Sequence, residues 1–200
     1  MENMVLKLSK SEEIIYNILS NDKTAKMLLE PLKTHSVETY IHSFNVASIS
    51  SFLAEEMGIN ESGTKIITLG ALLHDVGKIS VPRSILEGSE KLNPKERAGI
   101  ELHPMFGYLL TKDRFHERVQ DICLHHHEKL NGSGYPDGIS QIHYFTQIVT
   151  VADMYNAMIS SRAYKKTLSH DEAIKELMID VQNGKLNQDI VDVIKKYSRY

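Results

Sequence analysis

At 200 residues, with 42% hydrophobic and 24% charged side chains, the chain has the composition of a single globular domain large enough to bury a core. Its formal net charge of −3 excludes a general nucleic-acid binder, which needs a basic excess, but not an anionic substrate whose charge a few bound cations could meet locally. The lone cysteine, Cys123, rules out an intrachain disulfide, and no stretch of about 18 apolar residues occurs, so a cytoplasmic protein of a reducing compartment is expected.

Apolar residues recur at three- and four-residue intervals and strand alternation is nowhere sustained, which makes the fold class all-α. Helices are predicted near 10–30, 34–57, 61–76, 94–111, 115–127, 144–160, 170–182 and 187–198. Residues 1–30 read as a short helical lead-in and 31–200 as the functional domain, without internal repeat or linker. In the second helix Ile41, Phe44, Phe52, Leu53 and Met57 mark the apolar face. Gly58-Ile59-Asn60 ends it, and Pro82 follows the apolar run of the third. Pro94 can open a helix at its first position, and His103-Pro104 marks a further boundary. The strongest loop signal is NGSGYPDGIS, 131–140.

Chemistry concentrates where acids and imidazoles interrupt these apolar segments. The run ITLGALL (67–73) delivers His74 and Asp75 from a buried helix, and a buried carboxylate needs a cationic partner. A metal would supply one, and Asp75 could bridge two; Lys78 lies three residues further on. Glu38 and His42, four apart, share a helical face. His103 stands at a helix start, Asp153 sits inside VTVADMYNAM, and LHHHE places three histidines just before the glycine loop. Each of these alone reads equally as a surface or capping residue. Together Glu38, His42, His74, Asp75, His103, His126, His127 and Asp153 offer eight imidazole or carboxylate groups, too many for one tetrahedral zinc and without the thiolates of a structural zinc site. Such a donor set suits a two- or three-metal hydrolytic centre of iron or manganese, with zinc as an alternative. No serine or cysteine nucleophile is required, and Cys123 reads as a core residue.

The motifs YIHSFNVA (40–47), LLHDVGKISVP (72–82), HPMFG (103–107), HHEKLNGSGYP (126–136) and VADMYNAMISSRAYK (151–165) resemble, in this order, those of the HD-GYP family, a branch of the HD phosphohydrolase superfamily. The resemblance spans residues 35–170 and implies a helical bundle around two or three divalent metals. It implies hydrolysis of cyclic dinucleotides, chiefly the bacterial second messenger cyclic di-GMP, to the linear dinucleotide and onward to the mononucleotide if the groove rebinds it. Carried over, His42, His74, Asp75 and Asp153 would hold one metal, with Asp75 bridging to a second held by His103, His126 and His127. Glu38 stands where members with a third metal have an acidic ligand; alternatively it would orient His42 by hydrogen bonding. Asp75 and Lys78 would carry catalysis, Lys78 at the scissile phosphate, while Arg162 and Lys165 would grip substrate phosphates or guanine. Tyr135 would shape the loop beside the substrate groove, where a signalling protein partner would also dock. His125 is surplus to this ligand set.

Several positions depart from the family pattern: Asn45, Leu130-Asn131, Asn156 and Ala163 stand where arginine, Trp-Asp, aspartate and proline are usual. All the proposed ligands are retained, so the departures bear on substrate preference rather than on the metals. Two rival readings remain open. One is an HD phosphohydrolase acting on another cyclic dinucleotide or nucleotide; the other is a non-catalytic cyclic-dinucleotide sensor or protein-interaction module.

Overall fold

The computed structural model describes residues 9–88, 92–160 and 167–197. Among these the chain is all-α as predicted, without strands. The helices are α1 (Lys10–Asn21), α2 (Lys23–His35), α3 (Val37–Glu56), α4 (Glu61–Leu73), α5 (Arg83–Leu86), α6 (Pro94–Ile100), α7 (His103–Thr111), α8 (Glu117–His125), α9 (Tyr144–Ile159), α10 (His170–Gln182) and α11 (Gln188–Ile194). A 3-10 turn, Val76–Ser80, follows α4.

Side-chain caps decide most boundaries. Ser9 and Glu12 form a capping box at α1, as Ser169 and Glu172 do at α10. Asp22 accepts a hydrogen bond from the Ala25 amide and starts α2, which breaks the predicted helix 10–30 in two. Ser36 and Asn60 cap α3 and α4 in the same way. The predicted helix 94–111 is also two helices, because Pro104 has no N–H to continue the first and sits instead in the opening turn of α7. After Leu73 the chain tightens into the 3-10 turn rather than running helical to 76.

Helix α3 is the central rod, packed along both α4 and α9; α8 covers α4, and α7 lies across α8 and the 3-10 turn. Val46, Ile49 and Leu53 of α3 meet Ile67 and Leu72 of α4, Ile122 of α8 and Ile148 of α9 in a core closed to solvent. Of the apolar face expected for α3, Leu53 lies in the core and Phe44, Phe52 and Met57 pack against it, with Ile41 the exception. Ile41 is 53% exposed, and the buried surface includes Ser43, Ala47 and Ser50. With neighbours on two sides, α3 uses small side chains for close approach, so its large apolar residues show only part of the buried surface. Ile15, Ala25, Leu29 and Leu32 from α1 and α2 belong to this same core. No described helix is long and apolar enough to cross a membrane.

Gly77 permits a close backbone approach. A Cβ there would strike the His103 carbonyl oxygen and the Gly107 amide, so the 3-10 turn lies directly on the α7 backbone. That contact brings His103 beside Asp75.

Candidate metal centre

Seven of the eight predicted ligands converge. Asp75, His103, His126 and His127 form one group, and His42, His74 and Asp153 another; within each, the donor atoms lie within 4.8 Å of one another. They reach the centre from α3 (His42), the end of α4 (His74, Asp75), the first residue of α7 (His103), the end of α8 (His126, His127) and α9 (Asp153). Asp75 serves both groups. Its Oδ2 is 3.4 Å from His74 Nε2 and 3.7 Å from His42 Nε2, while Oδ1 is 3.2 Å from His103 Nε2 and 3.9 Å from His126 Nε2. Asp153 Oδ1 accepts from His42 Nε2 at 2.9 Å and lies 4.0 Å from His74 Nε2.

These positions fit cations. The Nδ1 of His74 donates to the Ala71 carbonyl and that of His103 to the Ile100 carbonyl, each at 2.7 Å; His126 Nδ1 faces the carbonyls of Ile122 and Cys123. A carbonyl only accepts, so in each neutral ring Nε2 presents a lone pair inward. The Nε2 atoms of His103 and His126 stand 3.3 Å apart, two acceptors facing one another beside a carboxylate. His74 Nε2 and Asp75 Oδ1, both buried, have no hydrogen-bond partner. Divalent ions would satisfy all of these atoms at once.

Protonation follows the same logic. Burial opposes ionisation of Asp75, yet Lys78, His74 and His103 outweigh it and hold the carboxyl well below the usual carboxylate range. Asp153 is likewise held well below that range, its burial outweighed by His42 and His74. Burial, reinforced by neighbouring histidines, pushes His126 well below the ordinary histidine value, and burial takes His127 down to about 3. His74 moves upward, because Asp75 and Asp153 outweigh its burial. Cys123, buried under Leu73, has its thiol pushed up to about 12 by burial, which removes it as a nucleophile at neutral pH.

The glycine loop is tied to the centre by residues of α8 and its end. Glu128 Oε1 accepts from the amides of Asp137 and Gly138 at 2.7 and 2.9 Å. A Cβ at Gly134 would meet the backbone of Glu128 and His127, so the loop folds directly over the ligand turn. Tyr135 then stacks on His127, ring centroids 4.6 Å apart. His125, the surplus histidine, points away from the ligands and bridges Asp121 (2.8 Å) and Asp137 (3.1 Å).

The remaining predicted residues are placed as follows. Lys78 is half-buried, with Nζ 2.6 Å from Asp75 Oδ2. Glu38 lies exposed on the first turn of α3 and is not gathered into either group. Arg162 and Lys165 fall outside the described residues. Two contacts were not legible in the sequence: Thr150 Oγ1 donates to the His126 carbonyl at 2.8 Å, and Asn156, fully buried, hydrogen-bonds His42. Their one signal is polarity on the buried side of an apolar helix.

A helical bundle that turns a His-Asp pair and further imidazoles onto one point defines the class of HD-domain proteins, and residues 13–190 match the model of that family, described as HD domain. The chain belongs to this family, in its HD-GYP branch. It is 35% identical over 170 residues to the cyclic di-GMP phosphodiesterase PA4108 of Pseudomonas aeruginosa, covering 83% of this chain and 41% of that protein. Over 180 residues it is 32% identical to the 3'3'-cGAMP-specific phosphodiesterase 1 of Vibrio cholerae, covering 88% of this chain and 41% of the other. Among solved structures it is similar to Bd1817, an HDG"Y"P protein from Bdellovibrio bacteriovorus, with a TM-score of 0.67 and 26% identity over 93% of this chain and 63% of that one. The chain spans about two fifths of the length of the curated relatives it matches.

Proposed function

We propose that the chain is a metal-dependent phosphodiesterase of bacterial second-messenger signalling, acting in the cytoplasm on cyclic di-GMP to give linear pGpG, with GMP a further product where the groove rebinds the linear form. The observation that carries this reading is the single carboxylate of Asp75, which turns one oxygen to each of two imidazole-rich groups. In this reading His42, His74 and Asp153 hold one divalent ion and His103, His126 and His127 another, with Asp75 between them. Iron or manganese suits the donors, zinc less so, and Glu38 would join only a third ion. Bound metals supply an activated water and offset charge developing on the phosphoryl oxygens.

The chain's own groups do the rest. The Lys78 ammonium, paired with Asp75 Oδ2, would take a phosphate oxygen as a second partner. The Tyr135 ring, stacked on His127, would form one wall of a substrate groove, and the loop carrying it is where a signalling protein would dock. Arg162 and Lys165 would hold the second phosphate or a guanine. The Vibrio cholerae relative favours a second reading at the level of substrate, with 3'3'-cGAMP as the preferred cyclic dinucleotide.

Both are tested on protein purified anaerobically, by metal content per chain alongside turnover of cyclic di-GMP and 3'3'-cGAMP. Two or more metals, with turnover of cyclic di-GMP abolished by Asp75→Ala, is the expected result. Faster turnover of 3'3'-cGAMP would move the assignment to that substrate. Cyclic dinucleotide bound without turnover, on a chain holding one metal or none, would make the protein a sensor and overturn the enzymatic reading.

A further inference from the structure

Helix α7 is turned the opposite way from an ordinary surface helix. Its buried side carries His103, Pro104, Gly107 and Thr111, small or polar groups that let its backbone lie against the 3-10 turn and α8. Its large apolar residues face outward instead: Leu102 is 53% exposed, Met105 40%, Phe106 40% and Leu109 56%. Their spacing of i, i+3, i+4 and i+7 makes one continuous stripe. Leu102 has helical backbone angles just ahead of the first turn, so it belongs to the same stripe. A surface helix normally turns such a stripe to the core, and here it faces solvent.

Two opposite charges flank the stripe. Glu101 precedes it and Lys112 follows it, eleven residues on, which is about three helical turns and places both on one flank. Their contacts within the chain are weak ones: Glu101 lies 3.5 Å from exposed Arg97, and the Lys112 ammonium 5.9 Å from the Tyr108 ring centroid. A second copy laid antiparallel on the first, about a two-fold axis, would set Leu102 against Leu109 and Met105 against Phe106. The same rotation keeps each flank on its own side, so Glu101 of one copy meets Lys112 of the other, twice. Parallel pairing would instead put glutamate against glutamate and lysine against lysine.

We propose that this stripe is a self-association surface, and that two copies of the chain pair antiparallel through α7. The four side chains present roughly 400 Å² of apolar surface, within the range of about 300–600 Å² that the largest patch on a monomer reaches. Two copies would bury about 800 Å² of it, below the roughly 1,200 Å² at which standard stable interfaces begin, so the pair is a weak one that forms as concentration rises. The pairing needs no cation and stands apart from the phosphodiesterase reading.

Sedimentation equilibrium of the full chain over a range of concentrations tests this, on the native protein, Leu109→Glu, Glu101→Lys, Lys112→Glu and the double charge reversal. The average mass of the native protein should rise from one chain towards two and no further, because a two-fold pair is closed. Leu109→Glu should weaken the association about tenfold or more, by placing a carboxylate in the apolar contact. Each single reversal should weaken it by about three- to tenfold, since like charges then face one another. The double reversal should restore the native value, a rescue that a disturbed fold would not produce. A native chain that stays monomeric at every concentration overturns the proposal and leaves the stripe to a different partner. Self-association that Leu109→Glu or the single reversals leave unchanged, or that the double reversal fails to restore, overturns it as well.

Discussion

Replacing Glu128 should loosen the glycine loop before it affects anything else. Its Oε1 accepts two backbone N–H groups, from Asp137 and Gly138, and hydrogen bonds to a charged acceptor contribute about 1.5–3 kcal/mol each. Asp137 and Gly138 are themselves exposed, so water can reach their amides after truncation, and the lower end of that range applies. Glu128→Ala should then cost about 3 kcal/mol, or about 6–12 °C in melting temperature for a chain of this size. Glu128→Gln keeps a neutral acceptor in place at about half the strength, for a loss of about 1.5 kcal/mol. These are upper values, because the buried Oε2 has no partner and works against the native residue. Thermal unfolding of the two variants, with amide hydrogen exchange at Asp137 and Gly138, checks the ordering. Exchange at those two amides no faster in Glu128→Ala than in the native chain would refute the reasoning.

Two further outcomes follow from the charges at the centre. Lys78→Met strips the ammonium from the nearly fully buried Asp75 carboxylate and should destabilise the metal-free chain by about 3 kcal/mol, the low end for breaking a buried pair; urea unfolding with and without Zn(II) should show the deficit shrinking once cations are bound. His125 is raised by its hydrogen bond to Asp121, with Asp137 adding to it against partial burial, so its bridge contributes stability that is fully present below the unfolded histidine value of about 6.5 and is lost as pH rises through the raised folded value. The gap in melting temperature between native and His125→Gln protein should therefore be widest near pH 6 and close towards pH 9; a gap constant across that range would refute the bridge.

Legibility differed between fold and site for physical reasons. Helix type was readable because apolar spacing persists through most elements, but α3, packed on two sides with Ser43, Ala47 and Ser50 buried, does not advertise its inner face. The break at Asp22 rests on a local cap that the surrounding apolar pattern runs across and hides, whereas the boundary at His103-Pro104 was marked by the proline itself. At the centre, His74, Asp75 and Asp153 stood out because ionisable groups among apolar neighbours need a partner. Asn156 did not, since a neutral amide in an apolar helix gives no hint of which ring it will meet. Glu38 was expected to share a helical face with His42, but it lies exposed on the first turn of α3, where His42 is buried, and is not drawn into either group.

The seven converging side chains come from positions as far apart as His42 and Asp153, with His74, His103 and His126 spaced between them. A cation held there would cross-link the chain over several long loops, restricting its unfolded ensemble as a disulfide does in secreted domains. Cys123 is the only cysteine, so nothing else in the sequence can form such a link. Scarcity of metal would then shorten the lifetime of the folded molecule as well as silence it, and an idle copy would be the one most open to proteolysis.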